Sequence, residues 1–151
     1  MRRREFITLV GSAAVAWPLA ARAQLERIRR IGVLMNLVAD DPETQTRIGV
    51  FQQALQQLGW TIGSNVRIDY RWGAGDAARY RTYAAELVAL APDVLLSTAT
   101  ATIEPLQQAT RTVPIVFVSV IDPVGAGVVE SLARPGGNAT GFTLFEYGIS
   151  G

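Results

Sequence analysis

The chain has 151 residues, of which 14 are basic and 13 acidic; it contains neither cysteine nor histidine, and every basic residue is an arginine. The usual ligands of zinc sites and the usual nucleophile–base pairs are therefore missing, so we predict no metal site, no cofactor and no catalytic residue. Four of the 14 basic residues and one of the 13 acidic residues fall within the first 23 positions, which leaves ten arginines against twelve carboxylates. This negative balance argues against nucleic acid as a partner.

The first 23 residues have the layout of an export signal. Three arginines at positions 2–4 precede an apolar run at residues 6–21, and a small-x-small cleavage site ends at Ala23. Paired arginines followed by x-Phe-Ile also resemble the twin-arginine signal of bacteria. We therefore predict export to the periplasm by the twin-arginine or the general export machinery, with cleavage after Ala23.

Two other interpretations of the apolar run stay open, a membrane anchor and a buried first helix of the domain. A spanning helix needs roughly 20 apolar residues. The run is shorter than that and contains Pro18, which interrupts a helix. We therefore treat residues 24–151 as the mature part, which is long enough for one compact domain.

From residue 31 onward, short apolar runs of strand length alternate with segments of helical periodicity. We predict strands that begin near residues 31, 66, 94, 115 and 139, with a helix between each pair. The second strand alternates apolar and polar residues, which indicates an edge position, whereas the continuously apolar fourth strand indicates burial on both faces. This order predicts an α/β fold, a doubly wound parallel sheet with helices on both faces.

The helix boundaries are predicted from capping residues: Asp41, Pro42 and Gly59 for the first helix, Asp76 for the second, and Asp122 with Pro123 for the fourth. The third helix is predicted around residues 103–110, on the condition that Pro105 lies in its first turn. The fourth is predicted to extend through Val128, Val129 and Leu132.

Ligands of open α/β sheets bind beyond the carboxyl ends of the strands. That rule selects the polar residues Asn36, Thr98, Thr100, Ser119 and Asp122 as candidate ligand-binding residues. Hydroxyls at a helix start, beside free backbone N–H groups, suit a carboxylate or another anion. A structural interpretation stays open, since threonine and aspartate commonly cap helices. Trp72, after the second strand, is either a stacking surface for a ligand or part of the packing.

Four stretches of sequence give a more specific indication. Residues 112–125 read TVPIVFVSVIDPVG and residues 127–141 read GVVESLARPGGNATG. Together with residues 30–34 and 84–88, they resemble the substrate-binding proteins of ABC transporters of the tryptophan/tyrosine type. The resemblance spans essentially the whole mature chain. It implies a periplasmic-binding fold, in which two α/β lobes close on a small solute that is handed to an ABC permease in the inner membrane.

Members of that family have two lobes and are longer than this chain, so residues 24–151 are expected to form the N-terminal lobe without the second lobe. The resemblance implies an amino acid or a similar small organic solute, bound by lobe closure. A ligand-sensing domain of a signalling system and a non-binding truncated remnant stay open as alternatives. An exported enzyme is disfavoured by the missing histidine, cysteine and lysine, so we predict that the chain is not an enzyme.

Overall fold

The computed structural model describes residues 27–131 and 133–144, so the predicted export signal at residues 1–23 lies outside the described residues. Within the described ranges, strands and helices alternate as predicted from the first strand to the fourth, and the fifth strand follows the fourth without a helix between them. They are β1 (Arg29–Met35), α1 (Pro42–Gln57), β2 (Val66–Trp72), α2 (Ala77–Ala89), β3 (Val94–Ser97), α3 (Thr100–Ala109), β4 (Ile115–Val120) and β5 (Ala139–Thr143). None of these helices is long and apolar enough to cross a bilayer.

The five strands form one parallel sheet in the order β2-β1-β3-β4-β5. The step from β1 to β2 runs in one direction, and every later step runs in the other. Because parallel crossovers are right-handed, α1 lies on one face of the sheet and α2 and α3 lie on the opposite face. The predicted doubly wound α/β fold is confirmed, and β2 is an edge strand as its alternating pattern indicated.

The first two helices begin where their capping residues predict. The Asp41 carboxylate accepts hydrogen bonds from the backbone N–H groups of Glu43 (2.8 Å) and Thr44 (3.2 Å) at the start of α1. Asp76 caps α2 in the same way, and these backbone hydrogen bonds lower the pKa of its carboxyl. Gly59 follows the end of α1 with φ +89°, a conformation that favours glycine. Local sequence therefore defines these helix ends.

Two helix predictions are wrong. The third helix begins at Thr100, three residues earlier than expected, so Pro105 lies inside α3 rather than in its first turn. The predicted fourth helix is absent from residues 121–131, which form turns, and Leu132 is not described. Gly125 and Gly127 weaken a helix in this stretch, and the φ of Gly127 is +71°.

The hydrophobic core lies on the side of the sheet that α2 and α3 cover, which we call the packed face. Its fully buried side chains come from both helices and from the central strands: Leu34, Ala84, Leu87, Leu95, Ile103, Leu106 and Ile115. The opposite side, beside α1, we call the open face. On β4, Ile115 and Phe117 are buried on the packed face, whereas Val116 and Val118 are only half-buried on the open face. The prediction that β4 is buried on both faces therefore holds for one face only.

An ion pair holds the packed face together near the amino ends of the strands. The Arg30 guanidinium on β1 bonds to Asp69 on β2 and also donates to the carbonyl oxygen of Leu90, just after α2 (3.1 Å). The hydrogen bond from Arg30 lowers the pKa of Asp69 and raises that of Arg30. Two strands and a helix end are thus tied by one charged group.

Candidate functional site

Because all five strands are parallel, their carboxyl ends lie at one edge of the sheet, which we call the carboxyl edge. The sequence-predicted residues follow or end three different strands at this edge. Asn36 follows β1, Thr98 follows β3, and Thr100 begins α3. Ser119 is the penultimate residue of β4, and Asp122 lies two residues beyond the end of that strand.

Asn36 and Thr98 contact each other directly. The Asn36 backbone N–H donates to the Thr98 hydroxyl oxygen (3.2 Å), and that hydroxyl lies 3.0 Å from Asn36 Oδ1 and 3.3 Å from the Leu34 carbonyl oxygen. Thr98 is only 6% exposed. Its hydroxyl is therefore committed to joining the ends of β1 and β3, whereas the half-buried Asn36 keeps its Nδ2 donor free of hydrogen bonds to other described residues.

Tyr80 on α2 supports the same loop, a role that the sequence did not reveal. Its hydroxyl accepts a hydrogen bond from the Gly75 backbone N–H (3.1 Å) and donates to the Asn36 carbonyl oxygen (3.4 Å). Gly73 has no space for a Cβ atom because the Tyr80 ring packs against it. The helical pattern indicated a core residue, which is correct, but the pattern gives no information on where the hydroxyl reaches.

The start of α3 lacks a side-chain cap, because its N-cap residue is Ala99. Thr102 takes part of that role: its buried hydroxyl accepts a hydrogen bond from the Ala99 backbone N–H (3.3 Å), and it also bonds to Ser97 Oγ (2.6 Å) and to the Ala99 carbonyl oxygen (2.9 Å). Thr100 is exposed, and the backbone N–H groups of Thr100 and Ala101 have no acceptor among the described residues. The helix therefore presents free N–H groups and one hydroxyl at the carboxyl edge.

The end of β4 has a strained backbone at both predicted positions. Ser119 has φ +58° and Asp122 has φ +45°, in the left-handed region that non-glycine residues rarely adopt. The register between β4 and β5 shifts between Phe117 and Val120. Asp122 Oδ1 accepts a hydrogen bond from the Gly125 N–H (2.8 Å), so it stabilises a local turn instead of capping a helix. Strain of about 1–3 kcal/mol per residue is typical of ligand-binding loops.

Trp72 lies on the open face and stacks on Tyr70, with ring centroids 5.8 Å apart and an interplanar angle of 18°. Of the two interpretations of Trp72 from sequence, the structure therefore shows packing against a neighbouring side chain. The Trp72 indole N–H and the hydroxyl of Thr44 are buried without a hydrogen-bond partner among residues 27–131 and 133–144. Thr44 is fully buried in the first turn of α1. The buried threonine hydroxyl at the start of α1 therefore lacks the hydrogen bonds that the buried Thr102 hydroxyl makes at the start of α3.

A groove of about 490 Å³ lies between α1 and the sheet on the open face, and we call it the α1 groove. Its floor is apolar and includes Val33, Leu96, Val116 and Val118. Thr98 and Ser119 line its end at the carboxyl edge. The structure therefore brings these two predicted residues to one cavity, but Thr100 and Asp122 lie outside its lining.

A second cavity of about 640 Å³ lies between α3 and the loop that joins β4 to β5. Its lining is polar and includes Glu104, Arg111 and Asn138. Asn138 precedes β5 and donates to the carbonyl oxygens of Thr110 (3.1 Å) and Val113 (2.9 Å), before β4 begins. The cavity is therefore remote from the carboxyl edge and includes none of the predicted residues.

The carboxyl edge offers hydroxyls, an amide and free backbone N–H groups from three strands and a helix start. Within the described ranges, no group of three histidine, cysteine, aspartate or glutamate side chains is placed to hold a metal ion. An edge of this kind can donate and accept hydrogen bonds to a small polar molecule.

A family model described as "ABC transporter substrate binding protein" matches residues 30–146, and the chain belongs to this family. The resemblance seen in the sequence is thereby confirmed. A tyrosine-binding protein of Clostridioides difficile is 34% identical over 91 residues, which are 60% of this chain and 26% of that protein.

Two solved structures are also similar. A domain from Streptococcus pneumonia in complex with L-Trp has 31% identity and a TM-score of 0.70, over 77% of this chain and 38% of that one. The ligand-free, open structure of an adhesive substrate-binding protein from Clostridium difficile has 28% identity and a TM-score of 0.71, over 79% and 40%. This chain therefore spans about two fifths of the length of these structures.

Proposed function

We propose that this chain is the N-terminal lobe of an exported solute-binding protein that serves an ABC importer, and that its solute is an aromatic amino acid or a similar small organic anion. The membership of the chain in the substrate-binding family carries this proposal. The choice of solute is supported by two similar proteins, one named a tyrosine-binding protein and the other solved in complex with L-Trp. The mechanism is capture between two lobes without any covalent step.

The start of α3 is the proposed carboxylate subsite. The free N–H groups of Thr100 and Ala101, the Thr100 hydroxyl and the partial positive charge of a helix N-terminus all favour an anion. Asn36 would donate its Nδ2 group, positioned by Thr98 and Tyr80. Ser119 and Asp122 would complete the lobe's contribution from the end of β4.

The transport role adds two proposed partners and a location. The export machinery reads residues 1–23 and delivers the protein to the periplasm, and the inner-membrane permease receives the loaded protein. The layout of those residues supports this location. A mature N-terminus at Gln24, found by mass spectrometry of the periplasmic fraction, would support cleavage after Ala23; an uncleaved chain in the cytoplasm would contradict it.

The test of solute binding is an NMR titration of the 151-residue chain with L-Trp and L-Tyr. One lobe supplies only part of the contacts, so we expect weak, saturable binding with a Kd on the order of 1 mM. Backbone amide shifts should move at Thr100, Ala101 and Asn36. The methyl ester of L-Trp lacks the carboxylate and should bind more weakly.

Thr100→Val removes the hydroxyl at the proposed subsite, and Thr112→Val is a matched control in an exposed loop beyond the other end of α3. We expect the first variant to weaken L-Trp binding by about threefold to tenfold, equivalent to one hydrogen bond, and the second to leave it unchanged. Equal affinities for both variants, or no shift with any amino acid tested, would contradict the proposed site.

A further inference from the structure

Strand β4 contains an extra residue near its carboxyl end. Phe117 pairs with Gly141 and Val120 pairs with Thr143, so three steps along β4 match two steps along β5. The extra residue between these two pairs forms a β-bulge, a feature that is rare between parallel strands. Bulges change the direction of the side chains within them and are frequent next to functional sites, so the direction of the side chains in this one bears on function.

The bulge changes which side chains of β4 face the core. Side chains alternate between the two faces of a regular strand. Because Phe117 is buried on the packed face, regular alternation would place Ser119 on that face and Val120 on the open face. Instead, Val120 is fully buried in the core of the packed face, and Ser119 lines the α1 groove together with Thr98. The extra residue therefore exchanges the positions of a valine and a serine.

The bulge is part of the fold and not a frayed strand end. Regular pairing precedes it, and beyond it the Leu144 backbone N–H donates to the Val120 carbonyl oxygen (3.1 Å). Gly141 on β5 has no space for a Cβ atom, because the backbone of Phe117 lies against it at the start of the bulge. The neighbouring strand therefore fits the bulge through a residue that has no side chain.

The bulge costs stability at Ser119. The φ of this residue is +58°, in the left-handed region where the Cβ atom of an L-residue is unfavourable. Glycine adopts this conformation without that cost, and it is the residue that bulges with a left-handed position commonly contain. A serine here therefore lowers stability relative to glycine. A strained residue of this kind, beside a candidate site, points to a role for its side chain.

The Ser119 hydroxyl is available for a hydrogen bond at the carboxyl edge. Near the end of β3, the hydroxyls of Ser97, Thr98 and Thr102 each bond to another protein group. The Ser119 hydroxyl bonds to no other residue within the ranges 27–131 and 133–144, and the residue is only half-buried. A hydroxyl both donates and accepts, so this one can bind a polar group of a molecule at the edge.

We propose that the β4 bulge turns the Ser119 hydroxyl out of the core and into the solute site, where it forms a hydrogen bond with the polar part of the bound amino acid. The inference rests on the proposed function and deepens it, because it names the backbone feature that makes this contact. The bulge returns Val120 to the core in the same step. The fold therefore loses some stability at Ser119 and gains a contact that a regular strand would bury.

The test compares two substitutions that both remove the hydroxyl. In the 151-residue chain, Ser119→Gly also relieves the backbone strain, whereas Ser119→Ala keeps it. We expect Ser119→Gly to raise the melting temperature by about 1–4 °C and Ser119→Ala not to raise it. Both variants should weaken L-Trp binding by about threefold to tenfold in the NMR titration, equivalent to one hydrogen bond. A more stable variant that binds more weakly separates a contact with the solute from a purely structural role.

Ala91→Gly is the matched control. Ala91 also has a positive φ, +52°, but it is exposed and lies at the opposite edge of the sheet, between α2 and β3. Its replacement by glycine should raise the melting temperature in the same way and leave the affinity for L-Trp unchanged.

Three outcomes would overturn the proposal. They are wild-type affinity in Ser119→Gly, weaker binding in Ser119→Gly with wild-type affinity in Ser119→Ala, and a lower melting temperature in Ser119→Gly. The second outcome would assign the effect to backbone flexibility instead of the hydroxyl. A wild-type chain that binds neither L-Trp nor L-Tyr would contradict the proposed function and this contact together, whereas unchanged affinity in both Ser119 variants of a binding chain would contradict the contact alone.

Discussion

The two faces of the sheet differ in how completely the sequence packs them. The packed face is covered by α2 and α3, and its core residues are fully buried. Among the described residues, α1 alone covers the open face, and its apolar residues Ile48, Phe51 and Leu55 are only half-buried. Both faces are apolar in sequence, so the difference arises from the order of the strands and not from composition. Stability should therefore depend mainly on the packed face.

Adjacent leucines on β3 give the strongest test of this comparison. Leu95 is fully buried on the packed face, and Leu96 is half-buried on the open face. In residues 24–151, Leu95→Ala should lower the free energy of unfolding by about 3 kcal/mol and Leu96→Ala by about 1 kcal/mol or less. Urea denaturation followed by circular dichroism measures both. Equal losses would mean that the two faces are equally packed.

Two glycines provide a second contrast. A Cβ on Gly32 of β1 would lie 2.8 Å from Leu95 Cδ2, whereas a Cβ on Gly49 of α1 meets no atom within 4 Å. Gly32→Ala should destabilise the fold by about 1–3 kcal/mol through overpacking. Gly49→Ala should stabilise it by up to about 1 kcal/mol through helix propensity. Thermal melts of the two variants should shift in opposite directions; a shift in the same direction would contradict this expectation.

Two buried threonines occupy the same position, the third residue, of their helices. Thr102 in α3 has a hydrogen-bonded hydroxyl, whereas the Thr44 hydroxyl in α1 has no partner in the part of the chain that the structure describes. Valine keeps the shape and removes the hydroxyl. Thr102→Val should cost about 1–2 kcal/mol, and Thr44→Val should be neutral or slightly stabilising. A loss of stability in Thr44→Val similar to that in Thr102→Val would show that its hydroxyl has a partner in solution.

The smallest expected effect concerns pH. The hydrogen bond from Arg30 lowers the pKa of Asp69 in the folded state below its unfolded value. Asp69 therefore contributes stability that is fully present above the unfolded pKa of about 3.9 and is lost as the pH falls through the folded pKa. Asp69→Asn should flatten the decrease in melting temperature between pH 5 and pH 3. An unchanged slope would mean that the pair does not contribute.

The sequence predicted most of the fold because the signals are local. Asp41 and Asp76 cap the helices that they were expected to cap, and all five strands begin within two residues of their predicted positions. The prediction of a helix between β4 and β5 was wrong, because it relied on apolar periodicity and gave too little weight to Gly125 and Gly127. The prediction that Pro105 lies in the first turn of its helix was also wrong. Helix propensity places proline at a helix start, but Pro105 lies inside α3, which packs on the sheet.

The candidate site was predicted in location but not in detail. The strand-end rule places Asn36, Thr98 and Ser119 at one edge, where the structure has them. It does not distinguish the buried Thr98, whose hydroxyl joins two strands, from the exposed Thr100 at a free helix start. The Tyr80 hydroxyl that holds the Asn36 loop was missed, because its effect depends on a contact across 44 positions of sequence.

The sequence by itself determined the α/β alternation up to β4, the caps of the first two helices and the family, because these depend on neighbouring residues and on motifs within short stretches. Only the tertiary structure decided which face is packed and which is open, because the order of strands in the sheet decides on which side each crossover lies. The same order brings residues from distant strands to one edge.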